Sequence, residues 1–136
     1  MNADRPQRGL LDTTVLIAGE SGRPLRREDF PEQVAISIVT KAELRAGVLA
    51  AVDIETRDRR LATLEAVAQM TVLPIWGGAD RAWAQMRAYL AASGRRVNAN
   101  DLWIAATAAA HEIPVVTQDG DFAALSGIAG LAVIEV

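Results

Sequence analysis

Five acidic residues stand in four separate segments of the chain, each at the end of a predicted strand or near the start of a predicted helix. They are Asp12 in GLLDTTVLIAG, Glu43 in AISIVTKAEL, Asp101 in NANDLWIAATAAAH, and Asp119 and Asp121 in PVVTQDGDF. In an open parallel sheet, these positions lie at the edge where the strands have their carboxyl ends and where ligands collect. The spacing therefore predicts a cluster of carboxylates at one edge of a sheet.

Helix capping alone would explain each acid singly. Asp12 and Asp121 could cap the helical segments that follow them, and Asp101 could complement the positive end of its helix. Glu43 could close a capping box with Thr40, three residues earlier. Ordinary caps have no reason to converge at one edge, however, and like charges held a few ångströms apart raise one another's pKa. A bound cation would offset this repulsion.

Oxygen atoms must supply the ligands of any such cation. The chain has no cysteine and a single histidine, His111, which excludes a thiolate site or a site built from several histidines. Carboxylates without these ligands suit Mg²⁺ or Mn²⁺, which keep coordinated waters and bind phosphate groups. The expected reaction is hydrolysis of a phosphodiester, in which the metal activates a water and stabilises the leaving oxygen. Glu43, with the longer side chain, is the candidate for holding the attacking water or a second ion.

Short β-rich runs alternate with longer helical patterns along the chain, which predicts an α/β fold. The predicted strands are Leu10–Leu11, Ala35–Val39, Thr71–Ile75, Val115–Thr117 and Leu131–Ile134. The predicted helices are Thr14–Glu20, Lys41–Val52, Arg57–Gln69, Ala79–Ala92 and Asp101–His111, with a short turn over Phe122–Leu125. Such alternation requires a central, mostly parallel sheet with helices on both faces.

Composition favours a single domain that is neither secreted nor embedded in a membrane. The chain has 136 residues and no repeat or composition break. Its first nine residues lack the apolar core of a signal peptide, and its longest weakly polar stretch, 102–110, is too short to span a bilayer. We therefore expect a cytoplasmic protein. The net charge of −3 argues against broad electrostatic binding of nucleic acid, but it allows a local basic groove.

Taken together, the motifs resemble those of PIN-domain ribonucleases, and especially of VapC-type toxins from bacterial toxin–antitoxin pairs. LLDTTVLIAG is similar to the opening strand and first acid of that family, and IVTKAELRAGV to its second block. NANDLWIAATAAAHEIPVVTQDGDFAAL is similar to the third and fourth blocks run together, and it is the most specific signal. The resemblance covers nearly the whole sequence. It implies a PIN-like three-layer α/β/α fold, with one PIN domain over residues 1–136.

The resemblance also implies the site residues. The family's metal-binding acidic quartet falls on Asp12, Glu43, Asp101 and Asp119, and Asp121 occupies the acidic place before Phe122. Many members have asparagine at the place of Asp119 and an acid only at that of Asp121, which leaves open which of the two faces the metal. We expect Asp12, Asp101 and Asp119 to bind Mg²⁺ or Mn²⁺. The predicted catalytic set is Asp12, Glu43, Asp101, Asp119, Asp121 and Thr117.

Polar residues beside these acids match the family pattern as well. Thr117 falls on a hydroxyl position near the site, and Asn100 on a polar position beside the third acid. Thr13 and Thr14 follow the first acid, as hydroxyls do in many relatives. The resemblance further implies an RNA substrate, a homodimer, and a cognate antitoxin that covers the cleft in a heterotetramer or a larger assembly.

Several other residues have two possible explanations. Loop arginines could bind RNA phosphates or could simply be solvated; they are Arg23, Arg26, Arg27, Arg95 and Arg96. The three tryptophans, Trp76, Trp83 and Trp103, could stack on bases, but we expect them to pack in the core or at a dimer interface. The run from Arg57 to Arg60 predicts an exposed helix face, and the family resemblance also allows an antitoxin contact there. His111 is expected near a helix C-terminus, with no role in chemistry.

Other functions fit the residues less well. A haloacid-dehalogenase-like phosphatase needs a second aspartate two places after the first, where this chain has Thr14. A phospho-accepting receiver domain needs a lysine after a late strand, but the chain's single lysine, Lys41, follows the second predicted strand. A non-catalytic RNA-binding or scaffold protein of the same fold stays open. The complete set of acids argues against it.

Overall fold

The chain folds into one parallel sheet covered by helices on both faces. The structure is a computed structural model that describes residues 6–136. The strands are β1 (Arg8–Leu11), β2 (Gln33–Ser37), β3 (Thr71–Leu73), β4 (Val115–Thr117) and β5 (Val133–Glu135). The helices are α1 (Thr13–Ser21), α2 (Ile38–Ala50), α3 (Ile54–Ala66), α4 (Ala79–Ser93) and α5 (Ala99–Ala110), with 3₁₀ turns at Arg27–Asp29, Gly120–Leu125 and Ile128–Gly130.

All five described strands are parallel, in the order β3-β2-β1-β4-β5. The chain builds the sheet from β1 outward, first to β2 and β3 on one side and later to β4 and β5 on the other. A change of direction of this kind opens a crevice at the carboxyl ends of the two strands where it occurs, here β1 and β4. The α/β prediction with a mostly parallel sheet is confirmed.

Alternating side chains divide the core into two halves, one on each face of the sheet. Leu10 and Val115 face the half formed with α4, α5 and the 3₁₀ turn at 120–125. Leu11 and Val116 face the half formed with α1, α2 and α3. The three-layer prediction is therefore confirmed, and the sheet edge between the two helical layers is where the polar residues of β1 and β4 emerge.

The structure corrects several predicted element boundaries. The strand predicted over Ala35–Val39 ends at Ser37, and α2 begins at Ile38 instead of Lys41. The Ser37 hydroxyl starts the helix by accepting hydrogen bonds from the Val39 and Thr40 amides, at 2.9 and 3.2 Å. The β-branched pair Ile38 and Val39 is typical of a strand, which is why the sequence pattern extended the strand too far.

The remaining boundaries differ at helix and strand ends. Helix α3 begins at Ile54, three residues before the predicted start, because Asp53 caps it by accepting from the Thr56 amide at 2.8 Å. The strand predicted to reach Ile75 ends at Leu73, and the last strand is Val133–Glu135 instead of Leu131–Ile134. Gly94 ends α4 in a left-handed conformation with φ 69°, as its position predicts.

No helix within residues 6–136 has both the length and the apolar character needed to cross a membrane. The prediction that the chain begins without a signal peptide falls partly on residues 1–5, which lie outside the described residues.

Candidate active site

The first acid is buried at the carboxyl end of the central strand. Asp12 follows β1 directly, is 1% exposed, and caps α1 with its carboxylate. Its Oδ1 accepts a hydrogen bond from Thr14 Oγ1 at 2.7 Å and another from the Thr14 amide, and its Oδ2 accepts from Thr117 Oγ1 at the end of β4. Both oxygens are therefore held by hydroxyls, one from the start of α1 and one from the end of β4.

The backbone of the loop after β4 orients these two hydroxyls. The Gln118 amide donates to Thr14 Oγ1 at 3.1 Å, and the Asp119 amide donates to Thr117 Oγ1 at 2.8 Å. Since each hydroxyl accepts from an amide, its proton is left to donate to Asp12. Burial raises the pKa of the Asp12 carboxyl above its ordinary value, while the hydrogen bonds from Thr117 and Thr14 oppose the rise.

Glu43 reaches the same edge from α2. Its Oε1 accepts from Thr13 Oγ1 at 2.7 Å, and its Oε2 accepts from Asn100 Nδ2 in α5 at 3.4 Å. Thr13 Oγ1 also lies 3.0 Å from the hydroxyl of the buried Thr40. Side chains from α1, α2 and α5 thus fix the position of one carboxylate.

Asp101 lies where the negative charges accumulate. It occupies the first turn of α5, whose cap is Asn98. Burial raises the pKa of Asp101 to about 6, and the nearby carboxylates of Asp12, Glu43, Asp119 and Asp121 add to the rise. The structure therefore brings the other four predicted acids within electrostatic reach of Asp101. None of them forms an ion pair with a basic side chain in the described part of the chain.

Asp119 and Asp121 differ in their surroundings. Asp119 is half-buried, raises the pKa of both Asp12 and Asp101, and caps the 3₁₀ turn by accepting from the Asp121 amide at 2.9 Å. Asp121 is exposed, and its charge acts on Asp101. The cap of this turn is therefore Asp119, and the prediction that Asp121 could serve as the cap is wrong. The Asp121 side chain remains free to act at the rim of the site.

The capping box predicted for Thr40 and Glu43 is also wrong. Because Ser37 caps α2, Thr40 lies inside the helix and Glu43 falls beyond its first turn. The Glu43 carboxylate consequently has no role at the start of α2. Its two hydrogen bonds both come from other helices, α1 and α5. The explanation of Glu43 as a helix cap is removed.

The donor chemistry of the cluster fits a hydrated hard cation. The cluster offers carboxylate and hydroxyl oxygens, and its carboxylates carry an excess of negative charge. Mg²⁺ usually binds one or two protein carboxylates while keeping several waters. No three acidic or histidine side chains among residues 6–136 are close enough together to hold one ion jointly. A site that binds through fewer side chains and waters meets both observations. The assignment of Asp12, Asp101 and Asp119 as metal ligands stays a prediction.

Two contributions to the site were missed by the sequence analysis, one without any signal and one with a signal that was available. The amide of Gln118 orients Thr14, a backbone role that no side-chain type announces. Thr40 supports Thr13 beneath Glu43, and here a signal existed, because residues three apart share a helix face. Thr13, Thr14, Asn100 and Thr117 all lie at the site, as their sequence positions predict.

The aromatic predictions are confirmed for two of three residues. Trp83 and Trp103 stack with ring centroids 5.2 Å apart and pack against the α4–α5 half of the core. Trp76 is 63% exposed, so it does not pack in the core, and its ring meets that of His111 edge to face. The alternative of packing at a dimer interface stays a prediction for Trp76. His111 lies at the end of α5, as predicted.

The arginines between 57 and 60 do more than form an exposed face. Arg57 and Arg60 donate to the carbonyls of Ala51 and Gly47 in and after α2, and Arg59 pairs with Glu20 of α1. These contacts hold α3 against its neighbours. Among the loop arginines, Arg26 donates to the carbonyl of Glu135, at the carboxyl end of β5.

Comparisons of the chain with known proteins agree with the motifs. The PIN domain family matches residues 9–128. Ribonuclease VapC5 of Mycobacterium tuberculosis is 56% identical over 131 residues, covering 96% of this chain and 97% of that protein. Ribonuclease VapC4 of the same organism is 41% identical over 124 residues, covering 90% of this chain and 94% of the relative.

Solved structures show the same architecture. VapBC-5 from Mycobacterium tuberculosis, a member of the VapBC family of toxin–antitoxin systems, contains a chain that matches with a TM-score of 0.90 and 53% identity. The match covers 96% of this chain and 100% of that one. DNA-bound VapBC from Salmonella typhimurium matches with a TM-score of 0.76 and 28% identity, over 94% of this chain and 97% of that one.

Proposed function

The chain belongs to the PIN-domain family, and we propose that it is a VapC-type ribonuclease toxin of a bacterial toxin–antitoxin pair. The reaction is Mg²⁺-dependent endonucleolytic hydrolysis of RNA phosphodiester bonds, with Mn²⁺ as a possible substitute. One observation carries the proposal: four acids from three other segments gather around Asp101, and none of the five has a basic partner among the described residues. The identity to proteins named ribonuclease VapC supports the choice of substrate.

Asp12 is a proposed ligand of the cation, and hydrogen bonds from two threonines fix the position of its carboxylate. Asp12, Asp101 and Asp119 are the residues that would hold the cation, at most two of them directly and the rest through its coordinated waters, because no three acids among residues 6–136 lie close enough together to bind one ion jointly. Asp12 can do so with both oxygens oriented, because Thr14 donates to one oxygen of its carboxylate and Thr117 to the other. A bound Mg²⁺ supplies a water of lowered pKa and stabilises charge on the scissile phosphate. Thr117 acts through Asp12 by fixing its carboxylate.

The proposed role of Glu43 is to accept a proton from the attacking water or to orient it. Its carboxylate faces the cluster from α2, with one oxygen on Thr13 and the other on Asn100. The long 3.4 Å contact with Asn100 leaves Oε2 able to exchange that partner for a water. Asp121 lies exposed at the rim, where it adds charge to the field around Asp101.

The partners follow from the same family. We propose that a cognate antitoxin neutralises the protein by covering the acidic edge, and that the protein is a homodimer that forms a heterotetramer or a larger assembly with that antitoxin. The support is the likeness to chains of VapBC toxin–antitoxin structures from two organisms. The cytoplasm is the compartment we propose, since cellular RNA is the substrate.

The direct test is to sequence RNA ends after brief expression in bacteria. Wild-type protein should generate new ends at a restricted set of sequences within minutes, and Asp12→Asn protein at equal abundance should not. Co-expression of the cognate antitoxin should suppress the new ends. New ends that are equally frequent with Asp12→Asn would refute the assignment of the site. The absence of new ends in wild-type cells would favour a non-catalytic RNA-binding protein of the same fold.

A further inference from the structure

A basic cavity opens between α4, the loop that follows it, and the start of α5. Its volume is about 580 Å³, and its lining includes Arg87, Arg95 and Arg96 together with Trp83, Leu90 and Leu102. All three arginines are exposed. The function proposed above assigns nothing to this cavity.

The cavity concentrates positive charge in an acidic protein. No acidic residue lines it, while the whole chain carries a net charge of −3. Within residues 6–136, Arg87, Arg95 and Arg96 take part in no ion pair. Structural arginines elsewhere in the described chain behave differently: Arg59 pairs with Glu20, and Arg57 and Arg60 donate to backbone carbonyls. Arginines that are clustered, exposed and unpaired are suited to an anionic ligand.

The cavity adjoins the candidate active site through one turn of helix. Ala99 and Leu102, which share one face of the first turn of α5, line the cavity, and Asp101 lies in the same turn on another face of the helix. The positive end of the α5 dipole adds to the potential at this point. An extended anionic chain whose scissile group lies at Asp101 would therefore have its next groups beside the arginines.

The walls also suit the rest of a nucleotide. The partly buried Trp83 gives apolar surface next to the arginines, which a ribose or a base can cover, while Leu90 and Leu102 are almost wholly buried. Proteins that bind single strands combine a positive groove for the backbone with aromatic and apolar surface for the bases. A free inorganic anion would use the arginines alone, and an acidic peptide would have no reason to continue into a carboxylate cluster.

We propose that the Arg87–Arg95–Arg96 cavity binds the phosphodiester backbone of a single-stranded RNA on one side of the cleavage site. This inference rests on the proposed function, because it takes RNA as the substrate. It adds the direction in which the strand leaves the acidic cluster, across the first turn of α5 and into the loop after α4.

The test measures RNA binding without cleavage. In an Asp12→Asn background, fluorescence anisotropy with a labelled single-stranded RNA compares Arg95→Ala/Arg96→Ala with the matched control Arg8→Ala/Arg81→Ala. Both pairs remove the same charge from exposed positions, but Arg8 and Arg81 lie outside the cavity. Circular dichroism checks that each variant is folded.

We expect the cavity pair to weaken binding about tenfold and to reduce the slope of log Kd against log salt by about 1.4, since each single-strand phosphate contact contributes about 0.7. The control pair should change affinity less than twofold. Arg95→Lys/Arg96→Lys, which keeps the charge, should recover most of the affinity.

Three results would overturn the inference. Equal losses in the cavity and control pairs would show that only net charge matters. An unchanged affinity and salt slope in the cavity pair would show that the cavity does not meet the backbone. A change of sedimentation without a change in RNA affinity would make it an interface between copies. Failure of the proposed function would appear separately, as wild-type protein that binds RNA and does not cut it.

Discussion

Two regions of opposite charge share the first turn of α5, and they hold their charged groups in different ways. On one side, Asp12 is buried and Glu43 is fixed by hydrogen bonds from two other helices. On the other, Arg87, Arg95 and Arg96 are exposed and make no ion pair within residues 6–136. The difference indicates two tasks: the acids are positioned for chemistry at the cost of mutual repulsion, and the arginines attract a polyanion without fixed geometry.

The largest effect on RNA cleavage should come from neutralising Asp12 in the acidic cluster. Asp12→Asn keeps the shape of the side chain but removes the charge that faces the cation. We expect a loss of about a thousandfold in RNA cleavage, which corresponds to about 4 kcal/mol of transition-state stabilisation. The purified variant should remain folded, because the amide oxygen can still accept a hydrogen bond from Thr14 or Thr117. Cleavage at the wild-type rate would show that Asp12 does not hold the metal.

Replacing Glu43, in the same acidic cluster, should affect RNA cleavage without affecting stability. Glu43→Gln should reduce cleavage about a hundredfold, as expected on removal of a general base, because an amide cannot take a proton from water. The melting temperature should change little, since Gln can still accept from Thr13. Cleavage assays and thermal melts of the same preparation check both statements. Activity retained within a few-fold would return Glu43 to a purely structural role.

The acidic side should also respond to metal in a way the arginine side does not. A ligand that binds only the folded state stabilises it by about 2.7 kcal/mol at a hundredfold excess over its Kd. Mg²⁺ should therefore raise the melting temperature of wild-type protein and of Arg95→Ala/Arg96→Ala alike. The gain should shrink strongly in Asp12→Asn/Asp101→Asn. Equal gains in that double variant would show that the ions bind elsewhere on the acidic surface.

A helix cap next to the site gives a control for stability alone. Ser37 caps α2 but does not contact the carboxylates. Ser37→Ala should cost about 1 kcal/mol of unfolding free energy through the lost cap. Cleavage per folded molecule should stay close to wild type. A cleavage loss as large as that of Glu43→Gln would mean that the start of α2, and not the Glu43 carboxylate, governs activity.

The smallest effect concerns pH. The pKa of Asp101 is raised from 3.8 to about 6 in the folded protein, so between these values the folded state holds a proton that the unfolded state has lost. The stabilising contribution of this group is complete below about pH 4 and falls as the pH rises to about 6. Without metal, the melting temperature should decline across that window, and less steeply in Asp101→Asn. Identical pH profiles for the two proteins would contradict the crowding of charge around Asp101.

The location of the acidic side could be predicted from the sequence, because an acid after a parallel strand must emerge at the carboxyl edge of the sheet. The start of α2 could not, since Ile38 and Val39 continue the apolar pattern of β2 while the Ser37 hydroxyl already begins the helix. The different roles of Asp119 and Asp121 depend on which of them caps the 3₁₀ turn. The structure gives the cap to Asp119, two residues before the residue that the sequence predicts.

The cavity lined by Arg87, Arg95 and Arg96 was harder to predict from the sequence. Arg95 and Arg96 stand out as a pair in a loop, but Arg87 lies eight residues earlier on α4. Only the packing of α4 against α5 brings the three to one cavity. Tertiary contacts of this kind leave no periodic signal in a single sequence.

The central claim is that the protein cleaves RNA with a divalent cation held by the carboxylates around Asp101. Removing the cation with a chelator and then restoring Mg²⁺ tests this claim most directly. Purified protein is incubated with single-stranded RNA in Mg²⁺, then with excess chelator, then with Mg²⁺ restored, and the products are resolved for wild type and Asp12→Asn. We predict cleavage by wild type that stops with chelator and returns at the same sites with Mg²⁺, and no cleavage by Asp12→Asn in any condition. Wild-type cleavage that persists in chelator would contradict the account.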